Sequence, residues 1–205
     1  MIRRRNRIAE WRLGFAVAIS LWVFTAALAA ESAAPTEGKA VADRERVREK
    51  GEIVFELVRF VDWPAPGAEG SALPFVIGVL GDERWGAAIR KAASGSQIRG
   101  RPVVTRSFRN LDEVDPCSVL VVGRSKARYL PTILEFLEGG RGILTIGDRA
   151  GFADGGGVVE LVELPDRIGF EVNRDAARQA GLELGAQILR LAERLLPESD
   201  AAPTR

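Results

Sequence analysis

Histidine is absent from this 205-residue chain, and cysteine occurs once. The first absence removes the commonest general base, the commonest zinc ligand and the ordinary pH switch. No Ser-His-Asp or Cys-His site can be built without it. The second leaves Cys117 with no internal disulfide partner and the chain with no cysteine pair for a metal knuckle. Any exported form of the protein therefore depends on its core. Neither GxGxxG nor Gly-Lys-Ser/Thr spacing occurs, nor does the spacing of a calcium loop.

What is present suits one domain with trimmings. Hydrophobic residues make up 46% of the chain, enough for a core, and charged residues 28%, enough for a solvated surface. Arg3, Arg4, Arg5, Arg7 and Arg12 precede an apolar run from Leu13 to Ala30 that ends in small residues. This is the pattern of a signal peptide cleaved near Ala29 or Ala30 and exported to the periplasm, with an uncleaved anchor as the alternative. Residues 1–30 hold five arginines and one glutamate, so the remainder carries 24 basic and 27 acidic residues, a net charge of −3. Nucleic acid, which requires a clustered positive surface, is not an expected partner.

Residues 31–41 read as a flexible spacer and 198–205 as a disordered tail, which leaves 42–197 as the folded domain. A helix is expected from Ala42 to Val61, stopped by Asp62-Trp63-Pro64. Apolar runs at 75–80, 118–122 and 143–146 read as buried strands, with a more alternating, edge-like strand at 103–108 and helices at 84–93 and 126–137. Strands alternating with helices predict an α/β fold, a single three-layer domain around a largely parallel sheet. Its polar loops Gly81-Asp82, Gly123-Arg124-Ser125 and Gly147-Asp148 then gather on one sheet edge, so Asp82, Arg124 and Asp148 are candidate ligand-binding residues.

Beyond Gly151 the pattern changes. Pro165-Asp166 joins two strands into a C-terminal hairpin, with Ile168, Phe170 and Val172 facing the core and Arg167, Gly169 and Glu171 facing solvent or a partner. Asn173 is placed to cap a helix that Gly181 ends. Leu184, Ile188, Leu191 and Leu195 predict a terminal helix closed by Pro197. Gly155-Gly156-Gly157 precedes a strand, so a loop with positive backbone dihedrals is expected there, not a phosphate site. Phe152, Asp154 and Glu171 are the candidate partner-binding residues, although Phe152 and Trp63, each beside a loop, read first as core lids. Cys117 reads as a buried small hydrophobe. Asp82, Asp148 and Asp154 are considered as a carboxylate cluster, although caps and turns account for the first two. No catalytic, metal or cofactor site is expected.

An ordered set of motifs carries a family resemblance. It comprises Phe60-Val61-Asp62-Trp63-Pro64, Pro74 to Asp82, Arg99 to Val103, Cys117 to Leu120, Gly151 to Gly156, Phe170 to Ala177 and Ile188 to Ala192. From about Glu45 to Arg194 the chain resembles the YfiR-like family of exported bacterial proteins. The resemblance implies a periplasmic α/β protein without catalysis that binds the periplasmic part of an inner-membrane signalling protein. Its best-known members repress diguanylate cyclases, and release of that repression favours biofilm formation. A homodimer and disulfide regulation are also known in the family; an intramolecular disulfide is excluded here, and intermolecular pairing of Cys117 stays open. The alternative is a small-molecule binding module feeding a membrane sensor.

Overall fold

The computed structural model describes residues 34–63, 73–137 and 142–197. The expected leader, the tail and the Gly139-Gly140 loop lie outside these residues. The described chain divides between Glu45 and Arg46 into two units, each taken by itself. In the first, the side chains from Gly38 to Glu45 are exposed along the start of helix α1 (Ala34–Arg59). That helix begins eight residues before the expected Ala42, so the latter part of the expected spacer is helical.

Within the second unit, α1 becomes amphipathic. Val54, Leu57 and Val58 are buried, and the chain then turns into a two-residue strand, β1 (Val61–Asp62). β2 (Phe75–Leu80) leads through α2 (Glu83–Ala92) and β3 (Gln97–Ile98) to β4 (Arg101–Phe108). A 3-10 turn at Leu111–Glu113 precedes β5 (Val119–Val122), and a second at Ala127–Tyr129 opens α3 (Leu130–Leu137) before β6 (Leu144–Gly147). β7 (Val159–Glu163) and β8 (Ile168–Asn173) pair antiparallel as the expected hairpin. The chain ends in α4 (Arg174–Gln179), β9 (Glu183–Leu184), α5 (Ala186–Leu191) and β10 (Arg194–Leu196).

The eight-stranded sheet runs β10-β8-β7-β6-β5-β2-β4-β3. β4, β2, β5, β6 and β7 are parallel, and taken in chain order they stand 2-1-3-4-5, the doubly wound arrangement. Alternation distributes their side chains between two cores. Phe75, Ile77, Val79, Val119, Val121, Leu144 and Ile146 face a core shared with α1, α2, α4 and α5. Leu80, Phe108, Leu120 and Val122 face a smaller one with α3 and Phe152. Two apolar faces covered by helices make the three layers.

The C-terminus departs from expectation. The leucine spacing fits a helix to Leu195, yet α5 stops at Leu191, which is 61% exposed. Leu184 is drawn into β9, which pairs with β1, and Gly185 N–H donates to the Phe60 carbonyl. Arg194–Leu196 then forms a parallel strand on β8. Ladder bonds on an open sheet edge outweigh about one more helical turn carrying a half-buried stripe.

Candidate functional site

The carboxyl ends of the parallel strands do meet along one edge, but their residues serve separate networks. Asp82 caps α2, its Oδ1 accepting from Trp85 N–H at 3.0 Å. Arg124 donates to the Asp148 carbonyl at 3.0 Å, and its guanidinium lies 3.7 Å from the carboxylates of both Asp148 and Glu163. At the centre of this group is Lys50, which sequence reasoning missed. Its ammonium is buried on α1 and donates to Asp148 Oδ2 at 2.8 Å and Glu163 Oε1 at 2.7 Å. The available signal was a lysine three residues after Val47 and four before Val54, inside the apolar stripe, where an unpaired charge would not survive burial. The Lys50 hydrogen bond holds the Glu163 carboxyl below its ordinary range. Lys50 Nζ also stands 6.0 Å from the centre of the Trp85 ring. A cavity of about 500 Å³ opens beside this edge, lined by Gly81, Asp82, Ser107, Phe108, Arg109 and Lys126 among others.

A second cluster joins the glycine loop to the hairpin and the C-terminal strand. Arg194 on β10 grips both Asp154 oxygens, at 3.1 and 2.8 Å, and its Nε donates to Glu171 Oε2 at 2.9 Å. Asp154 and Glu171 are thus brought together, as the sequence grouping anticipated, by an arginine it did not include. The bidentate fork fixes geometry as well as charge. It holds the Asp154 carboxyl below its ordinary range and pushes the Arg194 guanidinium up. Oxygens of Asp154, Glu160 and Glu171 come within 4.8 Å of one another. Glu160 is buried and accepts from Gly151 N–H at 3.2 Å and Ala153 N–H at 3.0 Å, which anchors the loop. Asn173 caps α4 through Ala176 N–H at 2.9 Å, as expected, while its Nδ2 donates to the Ala153 carbonyl at 2.8 Å.

Phe152, grouped with these residues as a partner contact, is only 2% exposed and belongs to the α3-side core. A Cβ at Gly147 would stand 2.4 Å from its ring, and one at Gly157 would stand 2.2 Å away. These glycines make room for the phenyl ring. Of the three consecutive glycines only Gly156 has a positive φ, +101°, so conformation explains one of them and packing another. Trp63 is likewise core, packed edge-on against Phe75. The hairpin face expected to be solvated is largely covered. Gly169 is buried under Glu193, and the Glu171 side chain is 17% exposed.

Asp82, Asp148 and Asp154 do not act as one carboxylate set. The first caps a helix, the second answers Lys50 and the third answers Arg194. Cys117 is half-buried, not fully buried as expected, and this burial pushes its thiol up to about 11, a state poor in the nucleophilic thiolate.

These features define a doubly wound α/β domain whose parallel sheet is extended by a hairpin and whose charged side chains are engaged with one another. The profile of the DUF4154 family, described as YfiR/HmsC-like, matches residues 48–193, and the chain belongs to that family. No protein of curated function matches it in sequence. Among solved structures it is similar to an ABC domain in complex with L-Trp from Streptococcus pneumoniae, at 11% identity and a TM-score of 0.50, over 74% of this chain and 60% of that one. A conserved domain protein from Vibrio cholerae O1 biovar El Tor str. N16961 gives 12% identity and a TM-score of 0.47, over 73% and 60%. The chain thus spans about 60% of the length of these two structures, and the first likeness is one of fold alone. Among the described residues no helix is long and apolar enough to cross a membrane.

Proposed function

We propose that the protein is a periplasmic regulator without catalysis of its own. It binds the periplasmic part of an inner-membrane diguanylate cyclase and represses cyclic di-GMP synthesis. The observation that carries this reading is membership of the YfiR/HmsC-like family over residues 48–193. Repression requires tighter binding to the inactive state of the cyclase than to the active one, since equal affinity would shift nothing. In this reading the contact is made at the clamp through its exposed Asp154, with the more covered Arg194 and Glu171 beside it, where charge from three chain segments is fixed in one place. Deleting the gene should raise cellular cyclic di-GMP, and an unchanged level refutes the function. In a pull-down with the cyclase's periplasmic domain, Glu171→Arg should weaken binding. Wild-type recovery of that variant refutes the surface while leaving the function standing.

A second reading rests on the cavity beside Asp82. Doubly wound sheets hold ligands at their carboxyl edge, and about 500 Å³ falls within the range of small-molecule sites. In this reading a metabolite enters at Asp82, beside Ser107, Arg109 and Lys126; Arg124 and Asp148, grouped with Asp82 from the sequence, do not line this cavity. A thermal-shift screen separates the two readings, because a ligand raises the melting temperature in step with its concentration.

A further inference from the structure

The two edges of the sheet are finished differently. On the β8 edge, β10 pairs with Glu171–Asn173, Glu193 N–H donates to the Phe170 carbonyl at 2.8 Å, and Ile168 N–H donates to Glu49 at 2.9 Å. The β8 edge is thus covered, and the three-residue β10 becomes the end of the sheet. On the other edge, β3 covers only Arg101 and Pro102, and Val103 N–H donates to the Ser96 carbonyl. The Phe108 carbonyl points inward and accepts from Gly81 N–H. Backbone groups alternate sides along a strand. Since Val103 points outward and Phe108 inward, the N–H and C=O of Thr105 and Ser107 point outward, and no described strand pairs with them. Thr105 Oγ1 is also buried, with no hydrogen-bond partner among the described residues. Val104 and Arg106 stand exposed on the α3 side of the same segment.

We propose that the outer edge of β4, from Val104 to Phe108, accepts a short extended segment of another protein as an added strand. A second copy of this chain fits poorly. Two-fold antiparallel pairing centred on Thr105 would lay the copy's Ser107 and Phe108 against Val103 and Pro102, where Ser96 and β3 already lie. Centring on Arg106 avoids β3 but sets two arginines directly opposite each other, which is destabilising. The edge suits a heterologous strand with a carboxylate opposite Arg106, whose guanidinium now holds the exposed Asp115 at 2.8 Å. Backbone bonds to Thr105 and Ser107 supply affinity, and the carboxylate supplies register. This inference rests on the regulatory reading only for its natural occupant, an extended segment of the membrane partner.

The test uses a capped hexapeptide of alternating threonine and valine with one central glutamate. Titrated into the full-length protein, it should shift the amide resonances of Thr105 and Ser107 selectively, with a dissociation constant on the order of millimolar. Replacing its glutamate by lysine should weaken binding about threefold. Thr105→Pro removes an outward N–H that no described residue accepts, so the protein should keep its fold and lose the response; Ser107→Pro provides a second variant. Shifts elsewhere, no shifts at millimolar peptide, or an unchanged response in a folded proline variant would overturn the inference. With the cyclase domain as probe, loss of binding in Thr105→Pro names the natural occupant. Failure of the wild type to bind that domain removes the regulatory reading, while the peptide titration still decides the edge.

Discussion

Replacing Lys50 by methionine tests whether its ion pairs hold α1 on the sheet. The side chains of Lys50 and Asp148 are about nine-tenths buried, and Asp148 Oδ1 has no hydrogen-bond partner among the described residues. Removing one member of a buried pair typically costs about 3–5 kcal/mol, because the remaining charge stays desolvated. Arg124, 3.7 Å away and largely exposed, can follow the Asp148 carboxylate, which points to the lower end, about 3 kcal/mol. For a domain of this size that is a fall in melting temperature of roughly 6–12 °C. Glu163 adds little to the penalty, since it is 45% exposed and can turn to water. Adding Asp148→Asn to Lys50→Met neutralises the stranded group and should restore about 2 kcal/mol, which a double-mutant cycle in urea would read as coupling. The pH dependence has a definite sign. Glu163 is held below its ordinary value of 4.5, so its contribution is present above that value and lost as the pH falls through the depressed one. Lys50→Met should flatten this part of the acid limb. A single variant within about 1 kcal/mol of wild type, or a double variant no more stable than Lys50→Met, would refute the reasoning.

Phe152→Ala should cost about 3–5 kcal/mol by emptying a buried site, and denaturant midpoints would show it. A loss under about 1 kcal/mol would mean that Phe152 is a surface contact and not a core lid. Gly157→Ala should also destabilise, because the new methyl meets the same ring, and Phe152→Leu should relieve part of that cost. Cys117, pushed up to about 11 from an ordinary 9.0, should react with iodoacetamide at pH 8 about 100-fold more slowly than a free thiol. Labelling at the free-thiol rate would contradict its burial.

Much of the scaffold was legible because its strands are buried on both faces. Phe75–Leu80 and Val119–Val122 are continuous apolar runs, and only the centre of a covered parallel sheet needs such runs. β4 alternates, and it lies beside the edge. The hairpin was legible from Pro165-Asp166 and the cap from Asn173, since both are local signals. The sites were less so, because their partners lie far along the chain. Lys50 meets Asp148 across 98 residues, and Arg194 meets Asp154 across 40. Nothing in local spacing links such pairs. Phe152 sits in a glycine-rich loop, and Gly147 and Gly157 leave the room that holds its ring inside, as the core-lid reading expects and the partner-contact grouping does not.

The C-terminal misreading bears on the clamp itself. Leu184, Ile188, Leu191 and Leu195 have helical spacing, but a continuous helix would have kept Arg194 off the β8 ladder. As a strand, the segment sets Arg194 directly opposite Glu171, and the side chain reaches Asp154 from there. Periodicity describes what one segment would do alone, whereas β8 offers that segment an unpaired edge and two carboxylates. The ladder and the ion pair reinforce each other, since each fixes the register the other requires. The same logic separates the two edges of the sheet. Where the chain supplies its own strand and charge, β8 is covered by the short β10; at Thr105 and Ser107 no described strand does so, and the backbone stays available for pairing.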